Sequence, residues 1–201
     1  MLFRSLMNII NAIKTGDVNQ APRLEAMLSH TIRTNKEREM AYVRQATHDA
    51  LTGCKNRRAF DNDVDELLTA HQPFVLALVD IDNFKSINDT WGHAAGDCVL
   101  IEAAKRMVEF GEKRHQSYRL GGDEFAMILY GVHTAREVEY ICAALSQQFI
   151  RPFDLHNGHT ASMSLSIGFA LAWENASVEA LLEQADRNMY LVKNQRSKTI
   201  P

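Results

Sequence analysis

FVLALVDID, residues 74–82, is the stretch on which the fold prediction depends. Its first six residues are all apolar, and a continuous apolar run of this length predicts a β-strand that is buried on both faces. Side chains two positions apart on a strand share a face, so Asp80 and Asp82 should point the same way while Ile81 points into the core. Two carboxylates at a strand end suit a hard cation that prefers oxygen ligands, although acids also occur there simply to solubilise a strand end.

Helical and strand-like patterns alternate on both sides of this strand. Apolar spacing predicts helices over residues 56–70, 96–110, 134–148 and 177–194. Two short strand patterns, residues 117–120 and 125–130, flank a turn with two glycines and predict a hairpin. A second hairpin is predicted between residues 153–155 and residues 162–171. This order of elements predicts an α/β (α+β) sandwich in which helices flank a central mixed β-sheet.

Residues 1–46 contain no convincing strand pattern and predict a helical extension ahead of a domain at residues 47–201. Apolar residues at helical spacing up to residue 14 predict an amphipathic helix that packs on a partner or lies on a membrane surface. A second helix is predicted over residues 22–46. Its sparse apolar stripe fits either a dimerising or signalling stalk or a helix that only bridges solvent.

The composition limits the classes of partner. A formal net charge of −3 and an isoelectric point near 6.2 do not suggest general binding to a nucleic-acid polymer. Cys54, Cys98 and Cys142 form no CxxC pair, which argues against a disulfide framework or a cysteine zinc site and favours free thiols in a reducing compartment. No apolar run approaches the ~20 residues that cross a bilayer. We therefore expect a cytoplasmic protein with no transmembrane segment in this chain.

The predicted turn between the hairpin strands carries two acidic residues. Gly121 and Gly122 allow a tight turn and leave room for a bulky ligand to lie against the backbone. Asp123 and Glu124 would then lie at the tip of the hairpin rather than inside the sheet. When this short motif is taken alone, a generic polar turn is a strong alternative.

Residues 83–93 read NFKSINDTWGH and are predicted to form a loop between the acidic strand end and the next helix. Backbone amides in such a loop could bind phosphate oxygens, with Lys85 adding positive charge. Asn88 and Asp97 could read a base edge, because guanine presents N–H donors that a carboxylate accepts as a pair. Each also has an ordinary structural explanation, as a turn residue for Asn88 and as a helix N-cap for Asp97.

Taken together, five motifs resemble those of GGDEF domains in order and in spacing. In chain order they are residues 49–53 with 56–58, residues 80–93 with 96–97, residues 119–125, residues 164–168 and residues 185–193. They are similar, respectively, to the opening motif, the nucleotide-binding segment, the signature hairpin, the closing strand and the closing helix of that family. The resemblance spans roughly residues 47–197.

The resemblance implies a palm-like fold shared with nucleotidyl cyclases and the activity of a diguanylate cyclase. Such an enzyme condenses two GTP molecules into the bacterial second messenger cyclic di-GMP and releases two pyrophosphates. Each subunit holds one GTP and two subunits face each other, so the resemblance implies a homodimer. It also implies Mg²⁺, with Mn²⁺ as a substitute, held by Asp80, the Ile81 carbonyl and Asp123. Asp123 would help to deprotonate the attacking 3′-hydroxyl, and Glu124, the other implied catalytic residue, would support a second metal ion.

The resemblance also implies which residues bind GTP. They are Phe84, Lys85, Asn88, His93, Asp97 and Lys193. The first two would bind the β- and γ-phosphates through backbone amides and Lys193 through its side chain, whereas His93 would lie near the ribose. Asn88 and Asp97 would recognise guanine. Relatives that make mixed purine dinucleotides carry serine at the position of Asp97, so an aspartate there favours GTP over ATP.

Two departures from the family pattern bear on function. The last helix lacks the family's Lys-x-x-Gly-Arg run, because the glycine is missing and Arg196 comes one position early. Product-inhibited members carry Arg-x-x-Asp ahead of the signature, whereas Glu112 and His115 occupy those positions here. We therefore expect no inhibitory product site. The alternative function is a catalytically silent GGDEF domain that acts as a receptor for GTP or cyclic di-GMP, and the short N-terminal region is compatible with an upstream sensor.

Overall fold

The computed structural model describes residue 7 and residues 21–111, 114–155, 158–175 and 177–197. Its internal contacts divide the chain into two units, residues 1–46 and residues 47–201. Helix α1, Ala21–Thr47, confirms the helix predicted over residues 22–46, and the side chains of Leu28, Ile32 and Val43 on it are exposed. Apart from residue 7, the helix predicted up to residue 14 lies outside the described residues. Among the helices of the described part of the chain, none is long and apolar enough to cross a membrane.

The second unit alternates helices and strands as the sequence predicts. Its helices are α2 (Arg57–Thr69), α3 (Phe84–Trp91), α4 (His93–Gly111), α5 (Ala135–Gln148) and α6 (Val178–Ser197), with a 3₁₀ turn at Ala172–Glu174. Its strands are β1 (Lys55–Asn56), β2 (Phe74–Ile81), β3 (His115–Gly121), β4 (Glu124–Tyr130), β5 (Phe153–Asp154), β6 (Thr160–Ala161) and β7 (Leu165–Leu171). Local signals define several boundaries: Asn56 caps α2, and Thr134 and Glu137 form a capping box at the start of α5.

Five strands form one mixed sheet in the order β1-β3-β4-β2-β7, which confirms the predicted sandwich. β1 runs parallel to β3, and the other neighbours are antiparallel. The hairpin predicted from the two-glycine turn is present as β3 and β4. The second predicted hairpin is only partly right, because β5 pairs with the short strand β6. β7 pairs instead with β2 and covers the edge of β2 that does not pair with β4.

The continuous apolar run of β2 is explained by helices on both faces of the sheet. Val75, Val79 and Ile81 face a core that includes residues of α4, whereas Leu76 and Leu78 face a second core with residues of α2 and α6. Burial of such a side chain stabilises the fold by about 1.5–3 kcal/mol. Because both faces are covered, the first six residues of β2 are all apolar, and Asp80 is the first polar residue of the strand. Packing on both faces therefore fixes the position of β2 in the sheet as far as Asp80.

The segment predicted as a loop after β2 is a helix. α3 begins after Asn83, which has a positive φ of 60°, and ends at Gly92, which has a φ of 82°. Phe84 and Ile87 are three positions apart and pack against the core on the α4 side, which stabilises helical backbone where the polar sequence suggested a loop. The alternative explanation of Asp97 as an N-cap is also wrong, because α4 already begins at His93.

Candidate active site

The acidic end of β2 lies beside the turn between β3 and β4. The antiparallel register places Asp80 opposite Glu124, so Asp123 lies level with the end of β2. Both Asp123 and Asp82 are close enough to Asp80 for their negative charges to act on its carboxyl. Two motifs that are far apart in the chain thus bring three aspartates together at one end of the sheet.

A lysine from the last helix contacts this acidic cluster. Lys193 Nζ lies 2.8 Å from Asp80 Oδ2. α6 can reach this position because it packs directly on β7 at Gly168, where a Cβ atom would come within 2.1 Å of the Ala185 carbonyl oxygen. The glycine at this position therefore sets how closely the helix that carries Lys193 approaches the sheet.

Lys193 does not fully offset the effects that raise the pKa of the Asp80 carboxyl. Burial raises its pKa, and the charges of Asp123 and Asp82 raise it further, while the hydrogen bond and the charge of Lys193 act in the opposite direction. The net pKa of Asp80 is above its ordinary value of 3.8. A second positive charge placed here would stabilise the ionised carboxylate.

Asp82 is held differently from Asp80. Ser164 Oγ donates to its Oδ2 at 2.5 Å and Ser166 Oγ donates to its Oδ1 at 2.6 Å. Both serines belong to the segment that leads into and begins β7, and their role as partners of an active-site carboxylate was not predicted. The signal that could have revealed them is a pair of hydroxyl residues two positions apart at the start of an apolar strand, because such residues share one face.

Arg119 and Asp49 support the turn that carries Asp123. The Nε and Nη2 atoms of Arg119 donate to the Gly122 carbonyl at 3.0 and 2.9 Å, and its Nη1 donates to Asp49 Oδ1 at 2.9 Å. The same Asp49 oxygen accepts from the amide and the hydroxyl of Thr52. The opening motif of the domain is thereby linked to the signature turn, a contact for which the sequence alone offered no functional prediction.

The residues proposed to read a base lie where α3 and α4 meet. A Cβ atom at Gly96 would come within 2.0 Å of Asn88 Oδ1, so the Asn88 amide rests on α4 one residue before Asp97. Asp97 and His93 are exposed near the start of α4. Phe84 and Lys85 form the first turn of α3, just beyond the acidic end of β2, where helix amides point toward the N-terminal side.

The family model described as "Diguanylate cyclase, GGDEF domain" matches residues 46–199. The chain belongs to the GGDEF family. Its sequence is 56% identical over 161 residues to diguanylate cyclase DgcN of Escherichia coli (strain K12), an alignment that covers 79% of this chain and 40% of DgcN. It is 38% identical over 167 residues to diguanylate cyclase TpbB of Pseudomonas aeruginosa (strain UCBPP-PA14), covering 80% of this chain and 38% of TpbB. The chain thus spans about two fifths of the length of these curated relatives.

Solved structures of GGDEF domains share the fold. A structure of TpbB from Pseudomonas aeruginosa (PAO1) that comprises only the GGDEF domain superposes with a TM-score of 0.69 at 37% identity, covering 74% of this chain and 89% of that one. The coiled coil and GGDEF domain of DgcB from Caulobacter crescentus, in complex with c-di-GMP, gives a TM-score of 0.73 at 30% identity, covering 87% and 94%. The fold prediction is confirmed.

The residues at the acidic end of this GGDEF domain suit a magnesium ion. In the part of the chain that the structure describes, no group of three or more His, Cys, Asp or Glu side chains is arranged to hold a metal by itself. Mg²⁺ is commonly bound by one or two carboxylates together with water and substrate phosphates, so it needs no such group. Asp80 and Asp123, with the Ile81 carbonyl next to Asp80 in the chain and Glu124 next to Asp123, provide a donor set of this kind.

Of the two positions that carry the inhibitory motif in some GGDEF domains, one can be described. Glu112 lies outside the described residues. His115 begins β3, half-buried, and the Tyr130 amide donates to its Nδ1 at 3.3 Å. Burial lowers the pKa of this histidine below its ordinary value of 6.5. The absence of an inhibitory product site stays a prediction.

Proposed function

We propose that this GGDEF domain is a diguanylate cyclase that condenses two GTP molecules into cyclic di-GMP with release of two pyrophosphates. The observation that carries the proposal is the arrangement of Asp80 at the end of β2, Asp123 beside it in the signature turn and Lys193 in contact with Asp80. The names of its relatives DgcN and TpbB, both diguanylate cyclases, support the same reaction.

In the proposed reaction, the 3′-hydroxyl of each GTP attacks the α-phosphate of the other, so the same step occurs twice and releases two pyrophosphates. A new O3′–phosphorus bond forms, the bond to the pyrophosphate leaving group breaks, and the hydroxyl proton passes to the Asp123 carboxylate. A bound Mg²⁺, or Mn²⁺ in its place, would neutralise the charge that develops on the phosphate oxygens. Asp80, Asp123 and the Ile81 carbonyl would hold that ion, and Glu124 would support a second one.

Recognition of GTP is proposed to involve three groups of residues. The exposed Asp97 would accept hydrogen bonds from the N1–H and N2–H₂ groups of guanine, which would favour GTP over ATP, and the Asn88 amide would bind another edge of the base. The backbone amides of Phe84 and Lys85 would bind the terminal phosphates from the first turn of α3. Lys193 would add a positive charge to these phosphates, and His93 would lie near the ribose.

Two copies of the domain are proposed to be needed for turnover, because each GTP supplies the hydroxyl that attacks the other. The exposed apolar side chains of α1 make residues 1–46 suitable as a dimerising or signalling stalk, on which an upstream sensor could act. We propose that the domain works in the cytoplasm, where GTP is available and its three free cysteines stay reduced.

The proposal is tested by incubating the purified full chain with GTP and Mg²⁺ and identifying the nucleotides by chromatography and mass spectrometry. The Asp123→Ala variant removes the proposed proton acceptor and metal ligand, whereas Asp65→Ala removes an exposed carboxylate of α2. We expect cyclic di-GMP from the parent and from Asp65→Ala, and a rate at least ~100-fold lower from Asp123→Ala. If GTP binds but no product forms at high protein concentration, the receptor function replaces the cyclase.

A further inference from the structure

The stretch of α6 that leads to Lys193 is packed closely against the sheet. One turn earlier on α6, Met189 is buried, and Asn188 Nδ2 donates to the Phe169 carbonyl at 2.7 Å. The close contact at Gly168 holds the same stretch of α6 against β7. The backbone that leads to Lys193 is thus packed against the sheet, and its side chain carries the ammonium on a flexible four-carbon stem.

Several negative charges lie near the carboxylate that this lysine contacts. Its ammonium contacts Asp80, but Asp82 and Asp123 add two further negative charges to the same end of the sheet. Asp82 already accepts hydrogen bonds from two serine hydroxyls. The lysine side chain is 38% exposed whereas the Asp80 side chain is 13% exposed, so the cation stands on the solvent side of the carboxylate that it contacts.

A second lysine–aspartate pair in the domain provides a contrast. Lys55 Nζ lies 2.6 Å from Asp63 Oδ2, and the Tyr118 hydroxyl donates to the same oxygen at 2.7 Å. That pair joins β1, β3 and α2 and lies away from the acidic cluster. It is chemically matched to the Lys193–Asp80 pair but has a structural role, which makes it the natural control.

We propose that Lys193 is the resident counter-ion of the metal site and competes with the divalent cation for Asp80. The inference deepens the proposed function and rests on it. An ammonium 2.8 Å from Asp80 Oδ2 repels a second cation at that carboxylate, so metal alone should bind weakly. Nucleotide phosphates offer the ammonium another anionic partner, and the flexible stem lets it move toward them. Metal and nucleotide should therefore bind with positive coupling, each raising the affinity for the other.

The test measures Mn²⁺ binding to the full chain without nucleotide, from the electron paramagnetic resonance signal of free Mn²⁺. Lys193→Met removes the charge and keeps the length of the stem, Lys193→Arg keeps the charge, and Lys55→Met removes the control pair. We expect Lys193→Met to bind Mn²⁺ about tenfold more tightly than the parent, and the other two variants to bind it as the parent does. If Lys193→Met does not fold, Lys193→Gln takes its place.

The second half of the test uses a GTP analogue with a methylene group between the α- and β-phosphates, which cannot release pyrophosphate. In the presence of Mn²⁺, Lys193→Met should bind this analogue several-fold more weakly than the parent, so that one substitution moves the two affinities in opposite directions. Unchanged or weaker Mn²⁺ binding by Lys193→Met overturns the counter-ion role, even if the parent makes cyclic di-GMP. If Lys193→Met binds Mn²⁺ more tightly than the parent while the parent makes no product, the counter-ion role is supported and only the cyclase proposal is removed.

Discussion

Two aspartate–cation pairs lie beside the signature turn and have nearly equal N–O distances. The pKa values of their carboxyl groups nevertheless shift in opposite directions. Asp49 Oδ1 lies 2.9 Å from Arg119 Nη1, and Asp80 Oδ2 lies 2.8 Å from Lys193 Nζ. Burial alone raises the pKa of Asp49, but hydrogen bonds from the Thr52 side chain, from Arg119 and from the Thr52 amide outweigh it, and the net pKa is lowered. The pKa of Asp80 is raised.

The difference lies in the surroundings of each pair. Asp49 receives three hydrogen bonds and has an arginine whose planar fork also binds the Gly122 carbonyl, so its ionised form is well satisfied. Asp80 is more deeply buried and has two acidic neighbours, which one flexible lysine does not offset. An ion pair of the first kind braces a turn. An ion pair of the second kind leaves a carboxylate ready to accept a stronger cation.

The largest expected effect comes from neutralising each aspartate in turn. Asp80→Asn should lower the rate of cyclic di-GMP formation by at least ~100-fold, because it removes a metal ligand, while the urea midpoint stays the same or rises. Asp49→Asn should instead lower the free energy of unfolding by about 1.5–3 kcal/mol, because the hydrogen bonds to its Oδ1 would then be made to a neutral amide instead of a carboxylate. The two measurements are the rate with GTP and Mg²⁺ and urea unfolding followed by circular dichroism. A stability loss for Asp80→Asn equal to that of Asp49→Asn would erase the distinction.

A smaller effect should appear in the pH dependence of stability. Because the pKa of Asp49 is lower in the folded protein than its ordinary value of 3.8, its contribution is fully present above that value. The contribution is then lost as the pH falls through the folded pKa. The difference in unfolding free energy between the parent and Asp49→Asn should therefore be constant from about pH 7 to pH 5 and shrink below about pH 4. Urea unfolding at each pH gives this difference, and a gap that widens on acidification would contradict the assigned direction.

The smallest effect is expected from one hydroxyl group. Thr52→Val keeps the shape of the side chain but removes the donor that lies 2.7 Å from Asp49 Oδ1, while the Thr52 amide still donates. The free energy of unfolding should fall by about 1 kcal/mol, and the rate of cyclic di-GMP formation should change less than about twofold. A much larger drop in rate would show that the brace formed by Asp49 and Arg119 adjusts the position of Asp123 rather than only stabilising the turn.

The parts of the fold that were predictable are those with strong local signals. Each of these signals is contained in the residues of the element that it predicts. They are the apolar run of β2, the two glycines between β3 and β4, and the helical spacing of α2, α4, α5 and α6. The helix over residues 84–91 was missed because its polar side chains resemble a loop, and only the packing of Phe84 and Ile87 on the core makes it helical. The partner of residues 153–155 was assigned to the wrong strand, because pairing depends on which edge of the sheet is available.

The sequence by itself determined the order of elements, the family and the residue types at the acidic end of the sheet, since each of these depends on neighbouring positions in the chain. Only the tertiary structure decided what those residues contact. Asp82 meets a serine 82 positions away because β7 pairs with β2, and Lys193 meets Asp80 because Gly168 lets α6 pack closely on that strand pair. Contacts of this kind depend on register and on helix packing, which depend on the whole core and not on any single segment.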